Sequence, residues 1–262
     1  MKSEKSVTVA TQQNIFSNEV SYMVFSLFTS HLSPFTFHSS STMFKPYTTN
    51  TGKLNMQIDS DLLENAIKTQ TKEPVFRLYG WSPACVSLGR NQKSDFVDEK
   101  FLAANGIDVV RRLTGGRALL HDDEITYSYV CPVTALKNGQ NVVESYKEIS
   151  QILIDAFKQI GIELDFGGTR KVQGHKDYCM LVSTGADLCW HGRKLIGSAQ
   201  FRKEGYILQH GSILYDFNKN LLEKIFKETV DTSSIVSIKE INPLITRDDI
   251  ISLLSNVKYI KD

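Results

Sequence analysis

The tightest constraint on this chain comes from two glycine-punctuated blocks. The first runs from Arg111 to Asp122 and carries Arg112, Thr114, the pair Gly115-Gly116 and His121. The second runs from Gly192 to Gln200 through Lys194, Gly197, Ser198 and Ala199, and is followed by Gln209-His210-Gly211-Ser212. Basic and polar side chains beside closely spaced glycines, where strands start or turn, let a ligand approach bare backbone. Such segments build the wall of a site, so the fold has to bring them together.

Composition narrows what that site serves. The chain has 262 residues and a formal charge of +1, which allows one large core and offers no global field for nucleic acid or a membrane surface. Binding therefore rests on local chemistry. Cys85, Cys131, Cys179 and Cys189 form no CxxC pair and no disulfide-scaffold spacing, which points to reduced thiols and a cytoplasmic setting. No tight Cys/His cluster has tetrahedral spacing, so no metal is expected. Residues 1–42 are rich in Ser, Thr, Asn and Gln without a clear period, and are expected to be a weakly ordered extension, with Met43 as an alternative start and 43–262 as the folded domain. Their apolar stretch, Val20 to Phe28, is broken by Ser21 and Ser26 and falls short of the ~18 residues a membrane span needs. Lying behind Glu4 and Glu19, it does not make a signal peptide.

Periodicity places the elements. Leu62, Ala66 and Ile67 give a first amphipathic helix over Asp59 to Lys68, with Asp59-Ser60-Asp61 as a cap-like start. Val75 to Tyr79 and Ala84 to Leu88 are β-like runs parted by Gly80-Trp81-Ser82-Pro83, a pattern that suggests a hairpin. A short helix over Ser94 to Ala104 ends at Asn105-Gly106, and Asp108 to Arg112 returns as a strand. Ala118 to Leu120 and Ile125 to Cys131 are two further strands. The longest helical stripe joins Val142, Tyr146, Ile149, Leu153, Phe157 and Ile160, capped by Asn141 and stopped by Gly161. A hairpin over Leu188 to His191 and Arg193 to Phe201 turns at His191-Gly192, followed by a strand over Tyr206 to Leu214. Two helices close the chain, Leu221 to Lys227 and Asp248 to Leu254, the latter opened by a capping box from Thr246 to Asp249. Antiparallel groups of strands with helices between the groups define an α+β fold rather than a doubly wound parallel sheet.

Position by position, the glycine blocks resemble the biotin/lipoate protein ligase superfamily of cofactor transferases. The match is Arg-Arg-x-Thr-Gly-Gly-Arg-x-x-x-His-Asp at Arg111 to Asp122, Gly-Arg-Lys-x-x-Gly-Ser-Ala-Gln at Gly192 to Gln200, and Leu-Gln-His-Gly-Ser-Ile-Leu at Leu208 to Leu214. The resemblance spans about Asn55 to Asp216 in a consistent order and implies that superfamily's catalytic-domain fold, largely antiparallel mixed sheets flanked by helices. Within it, the later blocks are similar to the cysteine-dependent octanoyltransferases. Those enzymes carry an octanoyl group from acyl carrier protein to a lysine of the glycine-cleavage H protein, or of another lipoyl domain, and need no cofactor. In that family a cysteine lies fifteen positions before the lysine of Gly-Arg-Lys, the register that Cys179 and Lys194 keep here. The resemblance therefore makes Cys179 the nucleophile and Lys194 its activator. It gives substrate-binding places to Arg112, Gly115, Gly116, His121, Gly197, Ser198, Ala199, His210 and Gly211, with the Gly115-Gly116 amides facing the thioester oxygen. Departures bear on donor choice: Leu113 stands where proline or serine is commoner, Gly89-Arg90-Asn91-Gln92 is closer to the lipoate ligase version, and Met180 to Gly185 lacks a Phe-Asp-x-Pro-Ser pattern.

A thiol suits a thioester donor, because exchange onto a second sulfur keeps the acyl bond activated. A free thiol titrates near about 8.5, so a neighbouring ammonium favours the thiolate. Taken alone, Cys179 is as readily a small buried side chain, and Cys85, Cys131 and Cys189 are expected in the core. His210 is either a hydrogen-bonding support to the site or a structural strand histidine, and Arg77 is either solvated or a carboxylate's partner. An eight-carbon chain gains about 0.8 kcal/mol per buried methylene, with Leu78, Tyr79 and Val86 as candidate lining. Three other readings stand beside octanoyl transfer: an ATP-dependent lipoate or biotin ligase, an amidotransferase between lipoyl domains, and a noncatalytic scaffold that binds such domains.

Overall fold

In the computed structural model, residues 42–168, 178–181, 185–227 and 229–257 are described. All but Thr42 of the expected extension lies outside them, as do residues 182–184 after Cys179. Seven strands form the main sheet in the order β1-β2-β6-β10-β9-β8-β7: β1 (Met43–Asn50), β2 (Val75–Trp81), β6 (Glu124–Pro132), β7 (Asp165–Phe166), β8 (Leu188–Trp190), β9 (Arg193–Lys203) and β10 (Tyr206–Leu214). Only β1 and β2 run parallel in it. A smaller sheet, β4-β3-β5, is made by β3 (Cys85–Leu88), β4 (Asp108–Arg111) and β5 (Leu119–His121). This is the expected α+β architecture.

The two faces of the main sheet receive different helices. On one face, helix α3 (Val142–Lys158) presents Tyr146, Ile149, Leu153 and Phe157 to the core, while Val142 is exposed. Its Asn141 cap accepts hydrogen bonds from the Val143 and Glu144 amides. On the other face lies helix α1 (Gly52–Thr69), which begins seven residues before the expected Asp59 and is capped by Thr51. Asp59 is not a cap. Its buried stripe is Gly52, Asn55, Asp59, Leu63 and Ala66, and two polar members hide the start of the helix from an apolar period. Helix α2 (Glu99–Ala104) is shorter than expected, capped by Asp98. Helices α4 (Lys219–Phe226), α5 (Ile238–Ile241) and α6 (Arg247–Ser255) follow, and Thr246 and Asp249 form the capping box. None of the described helices is long and apolar enough to cross a membrane.

The hairpin expected of β2 and β3 is corrected. Strand β2 extends through Trp81, which pairs with Asn50 of β1, and the chain then leaves for the second sheet, where β3 pairs with β4 and β5. Proline at 83 has no N–H for a ladder, which favours a break there. That break stacks the small sheet over the α1 face of the large one and leaves a gap between them. The β8–β9 hairpin turns as expected at His191-Gly192, both at positive φ. Strand β1 escaped the sequence reading because its exposure shows no strict alternation.

Candidate active site

The gap has a floor set by strand register. Gly197 of β9 lies opposite Ser212 of β10, Ser212 opposite Thr126 of β6, and Thr126 opposite Tyr79 of β2. Directly paired residues share a face, and all four line one cavity. Trp81, Ser87, Arg112, His121 and Cys179 form further parts of its wall. The Ser212 hydroxyl and Glu124 Oε2 are buried without a hydrogen-bond partner among the described residues, the condition of polar atoms beside a ligand or water site.

Arg112, from the first glycine block, occupies the centre of the wall. Its Nε donates to Thr114 Oγ1 at 3.1 Å, its Nη1 to the carbonyl and hydroxyl oxygens of Ser87 at 2.9 and 3.1 Å, and its Nη2 to the carbonyls of Gly115 and Arg117 at 2.9 and 2.7 Å. A guanidinium has five N–H donors in a fixed fork, and all are used. Gly115 thus contributes a carbonyl to arginine, and a Cβ on Gly116 would meet Arg112 Nη2 at 3.0 Å. Neither glycine lines the cavity among the residues that do. Their place is around the arginine.

Two arms run outward from that fork. Thr114 Oγ1, having accepted from Arg112, has its own proton for His210 Nε2 at 2.7 Å, and His210 Nδ1 then donates to Asp59 Oδ2 at 3.2 Å. Ser87 Oγ likewise meets His121 Nε2 at 2.7 Å, and His121 Nδ1 donates to Glu124 Oε1 at 2.7 Å. Each arm reads hydroxyl, imidazole, carboxylate. The Trp81 ring stacks on His121 with centroids 3.9 Å apart, and its indole N–H donates to Thr126. Arg77 is the carboxylate partner of Asp59 at 2.8 Å and is buried, not solvated. Burial pushes the Asp59 carboxyl up, yet His210, Arg77 and Tyr79 outweigh it and hold the group below its ordinary value.

The second glycine block brings Lys194 to Cys179. Cys179 opens a short 3-10 turn, tied by its amide to the Ala118 carbonyl at 2.7 Å. Lys194 Nζ donates to the Cys179 carbonyl at 3.2 Å and pairs with Asp187 Oδ1 at 3.1 Å. Gly197 leaves room for that side chain, since a Cβ there would stand 2.9 Å from Lys194 Cε. Ala199, His210 and Gly211 line the same cavity; Ser198 does too, with its hydroxyl bonded to Tyr127 OH at 2.8 Å. Of the free cysteines, Cys179 is half-buried and Cys85, Cys131 and Cys189 are buried. Of the candidate lining, Tyr79 reaches the cavity, whereas Leu78 and Val86 belong to the main core.

Sequence reasoning passed over Ser87, Glu124, Asp59 and Asp187 as site residues. Asn55 and Asp59, four apart within a helix whose next turns bury Leu63 and Ala66, carried a readable signal of a buried polar face. Ser87, Glu124 and Asp187 carried none without the register of the sheets.

Two sheets packed around a sheet-floored slot give the fold of lipoate protein ligases. Solved structures share it: a lipoate-protein ligase A bound with ATP superposes with TM-score 0.64 at 19% identity over 82% of each chain. The bipartite lipoate protein ligase of Thermoplasma acidophilum gives 0.59 at 18%, covering 83% of this chain and 81% of its own. Residues 51–257 match the lipoyl protein ligase A/B catalytic domain, and the chain belongs to that family. Its relatives include proteins named octanoyltransferase LipM. The one from Staphylococcus epidermidis is 40% identical over 66% of this chain and 65% of its own length, and that of Carboxydothermus hydrogenoformans is 40% identical over 67% and 65%. The chain thus spans just under two thirds of these relatives.

Proposed function

We propose that this protein transfers an octanoyl group from a carrier-protein thioester to a lysine of a lipoyl-domain protein, through a thioester on Cys179. The Cys179 sulfur bonds to the acyl carbon as the bond to the donor sulfur breaks, and the donor leaves as a thiol after taking up a proton. The acceptor lysine's neutral amine then bonds to the same carbon, loses a proton to form the amide, and frees Cys179. The observation that carries the reading is the placement of Cys179: a half-buried thiol on the wall of the sheet-floored cavity, with Lys194 against its main chain. Likeness to proteins named octanoyltransferase supports the acyl group.

The cavity measures about 40 Å³, room for water but not for an eight-carbon chain. Entry of the chain has to move side chains, and Met56, a pliable thioether on α1, lines the cavity. Acyl carrier protein is the donor proposed and the glycine-cleavage H protein the acceptor, with reaction in the cytoplasm. The test is transfer from octanoyl carrier protein to H protein without ATP, compared with free octanoate or lipoate plus ATP and with an octanoylated lipoyl domain as donor. Transfer from the carrier alone supports the reading; ATP-dependent use of the free acid alone replaces it with a ligase, and use of the octanoylated domain alone with an amidotransferase.

A further inference from the structure

We propose that Arg90, Lys93, Arg111 and Arg117 form a docking surface for an acidic face of the carrier protein that brings the octanoyl thioester. This role rests on the acyl-transfer reading and adds to it the surface that receives the donor.

Two loops carry these cations, and hydrogen bonds join the loops into one piece. Arg111 Nη1 donates to the carbonyls of Gly89 at 2.6 Å and Gln92 at 2.7 Å, and reaches that of Arg90 at 3.4 Å. The Arg90 amide donates to the Thr114 carbonyl at 2.9 Å, and the Gln92 amide closes its own turn on the Gly89 carbonyl at 3.0 Å. Gly89 permits the approach, since a Cβ there would stand 1.9 Å from the Gly116 carbonyl oxygen. Charges mounted on a braced surface are in place before a partner arrives, so docking loses little to ordering.

The charges are also unspent. Arg90, Lys93 and Arg111 are exposed and Arg117 is half-buried, and no described carboxylate lies within ion-pair distance of any of them. The acids nearest along the chain, Asp95 and Asp108, pair with none of them. Elsewhere surface cations find acids: Lys203 has Glu64, Lys227 has Asp98, Lys239 has Asp216 and Arg247 has Asp123. In a chain whose formal charge is +1, unneutralised cations gathered on adjoining loops make a local positive field.

That field lies on the rim of the cavity that Cys179 lines. Arg112, on the cavity wall, donates through Nη2 to the Gly115 and Arg117 carbonyls. The Arg90 guanidinium carbon is 5.0 Å from the centroid of the Phe201 ring. Phe201 stands two residues beyond Ala199 of the wall, on the same face of β9. A donor docked on these loops brings its thioester to the wall it shares with Cys179. An acceptor lysine carries positive charge, which the same cations repel, so the surface suits the donor.

The test is acylation of Cys179 without acceptor, timed by intact mass on the full chain, from octanoyl carrier protein, octanoyl-phosphopantetheine and octanoyl-pantetheine. The native protein is compared with Lys93→Glu and with the double variant Arg90→Glu, Lys93→Glu. With the carrier, the second-order rate constant should fall at least about tenfold in the double variant and about threefold in Lys93→Glu, because rim charges act on encounter. For native protein it should also fall as salt rises. With both small donors it should stay within about twofold in every variant. An unchanged rate with the carrier overturns the proposal, and so does an equal fall with all three donors. An equal fall with carrier and phosphopantetheine, but not pantetheine, overturns it in favour of a phosphate site. A fall confined to later transfer onto a lipoyl domain overturns it in favour of an acceptor surface. If circular dichroism shows the double variant unfolded, Lys93→Glu decides alone, since Lys93 makes no side-chain hydrogen bond or ion pair among the described residues. Failure of the acyl-transfer reading looks different, as native protein that takes an octanoyl group from none of the donors.

Discussion

The Lys194 ammonium lies 3.1 Å from the Asp187 carboxylate, and neither side chain meets solvent to any useful extent. Removing one partner leaves an uncompensated buried charge at a cost of about 3–5 kcal/mol, whereas replacing both with apolar groups is often near neutral. Asp187→Ala should therefore lower the urea midpoint far more than the Lys194→Met, Asp187→Leu double variant. Equal losses in the two would mean that the pair is not buried as described.

Asp59 sets an acid limit on stability. A carboxyl held below its ordinary value in the folded state contributes stability in full above the unfolded value, about 3.9, and that contribution disappears as pH falls through the folded value. Urea unfolding followed downward from neutral pH should show this loss beginning near about pH 4. In Asp59→Asn the corresponding part of the acid limb should vanish, and stability at neutral pH should drop by about 3–5 kcal/mol because Arg77 loses its partner.

Two glycines of the second block should fail in different ways. A Cβ at Gly211 would stand 2.6 Å from Tyr127 Cε1 and 2.8 Å from the Gly197 carbonyl, a clash with fixed atoms. Gly211→Ala should lose about 1–3 kcal/mol of stability by thermal melting. At Gly197 the neighbours are the movable ends of Lys194 and Met180. Gly197→Ala should stay folded yet lose at least about tenfold in acyl transfer, because Lys194 shifts away from Cys179.

The four thiols should react in a fixed order. Burial pushes the Cys131 thiol up to about 12 and the Cys85 thiol higher still, and Cys189 is packed in its strand. Peptide mapping after brief alkylation of the native protein should find Cys179 labelled first. Prior labelling of Cys85 or Cys131 would contradict the burial assigned to them.

The parts of the fold legible in the sequence are those with local causes. The α3 stripe with its Asn141 cap, the His191-Gly192 turn, the strand Tyr206 to Leu214 and the Thr246–Asp249 capping box stand where spacing and turn chemistry put them. What stayed hidden depends on distant pairing. Apolar runs over Val75–Trp81 and Cys85–Leu88 look like one hairpin until their partners β1, β6, β4 and β5 are known. The same holds at the site. The spacing of Cys179 and Lys194 is readable in one dimension, but the Lys194–Asp187 pair and the two arms of Arg112 arise only from the fold. Gly115 and Gly116 look like bare amides for a substrate; in the fold both are exposed, and the Gly115 carbonyl accepts a hydrogen bond from Arg112, a contact no local pattern announces.

The central claim is that Cys179 carries the acyl group. Native protein mixed with octanoyl carrier protein, without acceptor, and read by intact mass and peptide mapping should gain one octanoyl group, on Cys179 and removable by hydroxylamine. Cys179→Ala should gain none and transfer none. Undiminished transfer to a lipoyl domain by Cys179→Ala would contradict the account.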